Sequence, residues 1–181
     1  IGLVNEMKII SDAMNIDINE VISAAATKPF GFVPYRPGPG LGGHCIPIDP
    51  FYLSWKAKEQ GINAKFIELA GEINVQMPEW VVTKIIHSLN GVNKPISKSQ
   101  ILVLGAAYKK NIGDIRESPS IKIIEMLLDM GGDVSFSDPY VKQLKKSDSL
   151  NKNLMSKKLS PKFLSKLDCI VIATDHDSFD Y

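Results

Sequence analysis

The sequence predicts an α/β protein in two parts: a helical region over residues 1–97, followed over residues 98–181 by the beginning of a parallel-sheet domain. Three observations carry this. Apolar residues recur at helical spacing through the first 90 positions. Within them an irregular stretch, Pro29 to Pro50, holds 11 of the chain's 24 glycines and prolines in 22 positions, and beyond residue 100 apolar strands alternate with helical pattern.

Leu3, Val4, Met7, Ile10 and Met14 place an amphipathic helix over residues 1 to about 15. Because Ile1 falls inside that pattern and is not an initiator Met, the chain reads as a piece of a longer protein. Asp17 and Glu20 form a capping pair for a second helix that runs through Ala25 and stops before Pro29. From Pro29 to Pro50 the glycines and prolines specify an irregular path, while Phe30, Phe32, Tyr35, Leu41, Ile46 and Ile48 supply anchors that a mere linker would lack. A short helix is expected over 51–60. A longer one follows from about Ile67 to Leu89, with Leu69, Ile73, Val81, Ile85, Ile86 and Leu89 on its apolar face and a kink at Pro78. The polar segment from Asn90 to Ser99 is the domain boundary.

Ile101 to Tyr108 is a continuous apolar run ending in a glycine turn, Ser120 to Met130 is helical, and Gly131-Gly132 closes that helix before an alternating strand, Asp133 to Ser137. Short helices are expected in the lysine- and serine-rich stretch that comes next, and Leu167 to Thr174 reads as another buried strand. This order predicts a parallel sheet with right-handed crossovers, a doubly wound arrangement left incomplete at Tyr181.

Composition narrows the function. The chain has 181 residues, 44% of them hydrophobic and 23% charged, with a net charge of +1, which are the proportions of an ordinary globular protein. No apolar run spans a bilayer and no leader pattern is visible, so a cytoplasmic protein without a membrane partner is expected. The balanced charge offers no field for nucleic acid, and the lysines between Lys142 and Lys158 read as a solvated surface. Cys45 and Cys169 lie in unlike surroundings and suit a reducing compartment as thiols. Three scattered histidines and two separated cysteines give no metal site.

Gly38, Gly40 and Gly43 match the spacing of the dinucleotide fingerprint G-x-G-x-x-G. The match is refused, because that fingerprint works only between a strand and a helix, and PYRP before the glycines with Pro47 and Pro50 after them supply neither. The loop's backbone amides can still line a substrate or cradle an anion. Cys45, in GGHCIPIDP, has no packing reason to stand among glycines and prolines, and reads as a reactive thiol. Cys169, in DCIVIAT, reads as core. Asp49 follows Cys45 by four residues; it either holds a carboxylate near the sulfur or caps the next helix, and one aspartate can do both. His44 is adjacent to Cys45, and neighbouring side chains diverge, so it is a poor base; His87 and His176 show no pairing. Lys109, Lys110 and Arg116 emerge from a strand at the carboxyl edge of the sheet, where they either meet a phosphate or form an exposed charged loop.

Taken together, TKPFGFVPYRPGPGLGGHCIPIDPFYLSWKAKE, AYKKNIGDIRESPSIKIIE, SDPY and IATDH, in this order over nearly the whole chain, resemble the nucleotide-sugar dehydrogenases, the UDP-glucose and UDP-N-acetylhexosamine 6-dehydrogenase family. The resemblance implies a central helical dimerisation region over residues 1–97 and an incomplete Rossmann-like, nucleotide-sugar-binding domain over 98–181. It implies oxidation of a sugar C6 alcohol to a carboxylate with NAD, through a thioester on Cys45 with Asp49 beside it. Tyr35, Arg36, Gly38, Gly40 and Gly42 would line the sugar and phosphates, Tyr108 and Lys109 would contact substrate, and Gly43 and Arg116 would approach NAD. The expected partners are a UDP-sugar and further copies of the chain, as a homodimer or higher homo-oligomer. KPFGFVPYRPGPGLGG resembles the UDP-N-acetylhexosamine branch; UDP-glucose, or a non-catalytic nucleotide-binding dimerisation module, is the alternative. The family's catalytic lysine, asparagine and glutamate would lie upstream of Ile1, so this chain alone should not turn over. The arginine that many members carry early in the glycine loop has no clear equivalent, with Lys28 or Arg36 as substitutes.

Overall fold

The computed structural model describes residues 1–146, 150 and 152–181. Four helices come first: α1 (Gly2–Ala13), α2 (Ile18–Ala25), α3 (Asp49–Glu59) and α4 (Lys65–Gly91). The Asp17 side chain accepts from the Asn19 amide at 2.8 Å, which starts α2 as the capping pattern predicts, while Glu20 makes no return bond. α3 begins two residues earlier than expected. Ile48 occupies its cap position and Asp49 is its first residue, so Asp49 does not cap it.

α1 has the expected extent and the opposite face. Leu3, Ile10 and Met14 are exposed, and the buried residues are Gly2, Asn5 and Ser11. The reason is the approach of α4: a Cβ on Gly2 would lie 3.2 Å from the backbone of Ala70, so only a small residue fits there. One turn on, Asn5 Nδ2 donates to Asn74 Oδ1 at 2.9 Å, and Asn5 Oδ1 accepts from the Gly38 amide at 3.0 Å. A polar seam, not an apolar stripe, joins these helices.

α4 is one continuous helix across Pro78, and its buried residues are Asn74, Met77, Pro78, Val82, Ile85 and Leu89. Proline donates no N–H, so the carbonyl of Asn74, four residues back, lacks its helical donor. Gly40 of the loop packs against that carbonyl. The first half of α4 meets α1 and α3, whereas Val82, Ile85 and Leu89 enter the apolar core with Ile96 and the sheet.

The sheet has three parallel strands in the order β2-β1-β5, with β1 (Gln100–Leu104) flanked by β2 (Asp133–Ser137) and β5 (Cys169–Ile172). Ile101 pairs with Val134 on one side and Cys169 on the other. Its central place explains why β1 is apolar without alternation: Ile101, Leu102 and Val103 are fully buried. α5 (Pro119–Asp129) covers the sheet with Ile123, Ile124 and Leu127, and Gly131 ends the segment at φ 81°. β5 corrects the expectation of a buried strand. It spans four residues at the sheet's edge, where Ile170 and Ile172 are exposed and only Val171 is buried.

Between β2 and β5 the expected short helices are only partly found. A two-stranded antiparallel ribbon, β3 (Gln143–Leu144) with β4 (Leu154–Met155), precedes the short α6 (Pro161–Leu164); residues 147–149 and 151 of the lysine-rich stretch lie outside the described residues. No helix among the described residues is long and apolar enough to cross a membrane.

Replacing Asn5 by Ala removes the donor to Asn74 and the acceptor for Gly38 inside a seam where Asn5 itself is fully buried. The expected cost is about 1–3 kcal/mol, read as a lower urea midpoint at unchanged slope. An unmoved midpoint would show that the seam does not hold α1 to α4.

Candidate active site

The loop from residue 29 to residue 48 has no ladder of its own, so bonds to other elements fix its course. At its start the Arg36 guanidinium donates to Asn19 O (3.0 Å) and Ser23 Oγ (3.1 Å) and ties the chain to α2. Gly38 is held by Asn5. No strand precedes these glycines and none of them opens a helix, in agreement with the refusal of the dinucleotide fingerprint.

Gly42 and Gly43 seat the loop on the segment that leaves β1. A Cβ on Gly42 would overlap Tyr108 Cβ and lie 2.9 Å from Glu117 O; one on Gly43, at φ 94°, would lie 3.0 Å from the Tyr108 ring. The close approach lets the Gly43 amide donate to Arg116 O at 2.8 Å. Two residues on, Cys45 is exposed. Its carbonyl accepts from the amides of Ile48 (3.0 Å) and Asp49 (2.8 Å), so the thiol stands on the turn that leads into α3, with Asp49 one turn away and exposed.

On the facing segment the Tyr108 amide donates to Asp114 O at 3.0 Å and closes a loop. Arg116 forks onto Asp114, Nε to Oδ1 at 3.1 Å and Nη2 to Oδ2 at 2.6 Å. The guanidinium, together with the Arg116 backbone amide, lowers the Asp114 carboxyl to about 2 from the usual 3.8 and is itself raised, chiefly by Asp114. Arg116 also interacts electrostatically with Tyr108 and Cys45, and Asp114 with His44, which makes these five residues one electrostatic neighbourhood.

The two lysines differ. Lys110 is spent on Asp177 (2.6 Å) and Asp175 (3.5 Å), which raise its pKa, Asp177 most. Lys109 is exposed and makes no ion pair among the described residues. Of the residues singled out in the sequence, the structure thus gathers Gly42, Gly43, Cys45, Tyr108 and Arg116; Tyr35 is exposed, and Arg36 is turned onto α2. No group of His, Cys, Asp or Glu among the described residues could hold a metal ion. A cavity of about 670 Å³ opens on another side of the loop, between Ile46, Phe51, Phe66, Val75 and Pro119, and its lining does not include Cys45, Tyr108 or Lys109.

Sequence reasoning missed the residues that brace this site. His176, expected to lack a partner, is fully buried against Asp138, with its Nε2 3.1 Å from Oδ2. Asp138 also accepts from the amides of Ala106, Ala107, Tyr140 and Val141 at 2.7–3.1 Å. Burial pushes this carboxyl up, and the four backbone donors more than offset it, so its pKa is lowered. The signal was present in SDPY and IATDH, but the two motifs stand 38 residues apart at these positions and nothing local pairs them.

Because its folded pKa is depressed, the contribution of Asp114 to stability is complete above the usual carboxylate value and is lost as pH falls through about 2. A carbon-detected NMR titration should place its midpoint near 2; a midpoint at 3.8 would mean that the fork with Arg116 does not persist in solution.

The chain is 39% identical over 179 residues to a UDP-N-acetyl-D-mannosamine dehydrogenase of Methanococcus maripaludis, covering 99% of this chain and 38% of that protein. A UDP-N-acetyl-D-glucosamine 6-dehydrogenase of Pseudomonas aeruginosa is 31% identical, covering 99% and 41%. The solved UDP-D-ManNAc dehydrogenase of Pyrococcus horikoshii superposes with a TM-score of 0.84 at 33% identity, over 98% of this chain and 38% of that one. The chain therefore spans about two fifths of the length of these relatives. Residues 1–76 match the central domain of the UDP-glucose/GDP-mannose dehydrogenase family and residues 102–181 match its UDP binding domain. The protein belongs to the UDP-glucose/GDP-mannose dehydrogenase family and carries the central and UDP binding domains of that family.

Proposed function

We propose that this chain is the catalytic-loop and nucleotide-binding part of an NAD-dependent dehydrogenase that oxidises the C6 alcohol of a UDP-N-acetylhexosamine to a carboxylate. The observation that carries the reading is the exposed thiol of Cys45, seated by Gly42 and Gly43 against the Tyr108–Arg116 segment. Its two relatives named above are described as acting on UDP-N-acetylmannosamine and UDP-N-acetylglucosamine, which supports that substrate class. Residues 1–97 form the central region and 98–181 the nucleotide-sugar-binding domain. The outward apolar face of α1, with Leu3, Ile10 and Met14 exposed, supports association of the central region with a second copy.

In this reading Lys109, exposed and without an ion pair among the described residues, meets the UDP phosphates, and Tyr108 lies beside the sugar. Tyr35, Gly38, Gly40 and Gly42 shape the substrate side of the loop. Arg36 acts on it through its hold on α2. The Cys45 sulfur adds as thiolate to the C6 aldehyde, forming a C–S bond and a thiohemiacetal whose oxygen takes up a proton. Loss of that proton and of a hydride from C6 leaves a thioester. Water, oriented by Asp49, then attacks the thioester carbonyl; the C–S bond breaks, the thiolate departs and the carboxylate remains. Bound NAD supplies the acceptor for the hydrides of the alcohol and thiohemiacetal stages. The residues present fit one edge of such a dinucleotide: the Arg116 guanidinium is exposed, and its Nη1 makes no bond among the described residues. The Gly43 amide is committed to Arg116 O, so Gly43 acts on the cofactor by holding Arg116 in place.

Alkylation of the chain by iodoacetamide should label Cys45 at least about tenfold faster than Cys169, whose pKa burial raises. UDP-N-acetylmannosamine or UDP-N-acetylglucosamine should slow labelling at Cys45 alone. Equal labelling of the two thiols, or no protection by either sugar nucleotide, would remove Cys45 from a nucleotide-sugar site.

A further inference from the structure

His176 has no exposure, and both ring nitrogens are engaged. The Asn111 amide donates to Nδ1 at 3.0 Å, and an amide can only donate, so Nδ1 carries no hydrogen and Nε2 carries the one that faces Asp138. Tyr140 and Phe179 pack against the ring at centroid distances of 5.1 and 5.7 Å and leave it no room to swing. Around it Asn111 and Asp177 exchange two bonds, Asn111 Nδ2 to Asp177 Oδ2 at 2.6 Å and Asp177 N to Asn111 Oδ1 at 3.1 Å. Lys110 joins the same clasp through Asp175 and Asp177. Lys109 stands between residues that are fastened on both sides: the Tyr108 amide to Asp114 O, and the Asn111 amide to His176.

We infer that His176 is a positioning residue for substrate binding, acting through the Asn111 amide to fix the turn that presents Tyr108 and Lys109 to a uridine diphosphate. The inference rests on the reading of that turn as the UDP-binding edge. What the tie needs is an acceptor at Nδ1 and a ring held in place: Asp138, itself fastened by four backbone amides, holds the Nε2 side, and Nδ1 is left to receive the Asn111 N–H.

The test uses the full chain, UDP as probe, and amide exchange at Asn111 corrected for intrinsic rate. His176→Phe keeps the shape without the acceptor and should lose Asn111 protection and UDP affinity together, each by about tenfold or more. His176→Asn keeps an acceptor for the Asn111 amide and should keep both. A His176→Phe chain as well protected as the wild type would overturn the inference, and so would a His176→Asn chain that loses as much as His176→Phe. If the wild type does not bind UDP at all, the reading of the turn as a UDP edge fails, and with it the claim that His176 serves substrate binding. If UDP binds the wild type and His176→Phe equally well, only the role of His176 fails.

Discussion

The carboxylate of Asp138 is the constraint on which the carboxyl edge of the sheet depends. It accepts from the two amides that follow Gly105, from the two that follow Pro139, and faces His176 beyond β5, so the exits of all three strands meet at one side chain. Its loss would leave four backbone donors without partners in a region where water is excluded, which is why a buried charge is tolerable here. The surrounding bonds follow the same logic. Ser118 Oγ donates to Ala106 O and Thr174 Oγ1 to Ala107 O, so the backbone that gives its N–H groups to Asp138 also has its carbonyls satisfied. Gly105 is required because a side chain there would run into Thr174, and its φ of 84° turns the chain sharply out of β1.

The glycines of the loop lose much conformational freedom when it is ordered, while its prolines limit that cost, and few of its residues offset the rest by packing. Its anchors to other elements are therefore decisive. Arg36 reaches α2, Gly38 reaches Asn5, and Gly43 reaches Arg116. Two of these anchors lie on the helical side and one on the sheet side, so the place of Cys45 is set by both.

Much of this was legible in the sequence, and the failures have identifiable causes. β1, β2, α5 and the irregular loop were readable because each rests on local signals: an apolar run, an alternation, a glycine stop, a density of proline. The extent of α1 was readable and its buried face was not, because hydropathy cannot show that a Gly2–Ala70 approach and an Asn5–Asn74 bond outcompete Leu3 and Ile10 for the interior. β5 reads as buried because its residues are apolar, but only its Val171 face packs on the core, and Ile170 and Ile172 point to the other, exposed face. In the site, Cys45 stood out through its odd company. His176 did not, since its partners Asp138 and Asn111 are distant in sequence and only the sheet brings them together.

α4 has 27 residues, which at about 1.5 Å each makes a rod of about 40 Å. One end meets α1 and α3, and the other packs on α5 and β5 within the apolar core. Helical turns resume past Pro78 although the Asn74 carbonyl lacks its donor, so the two ends belong to one helix. The loop that carries Cys45 is tied to both ends of this helix's surroundings, to Asn5 of the α1–α4 seam through Gly38 and to the segment leaving β1 through Gly43, so one helix sets the distance between its two anchors.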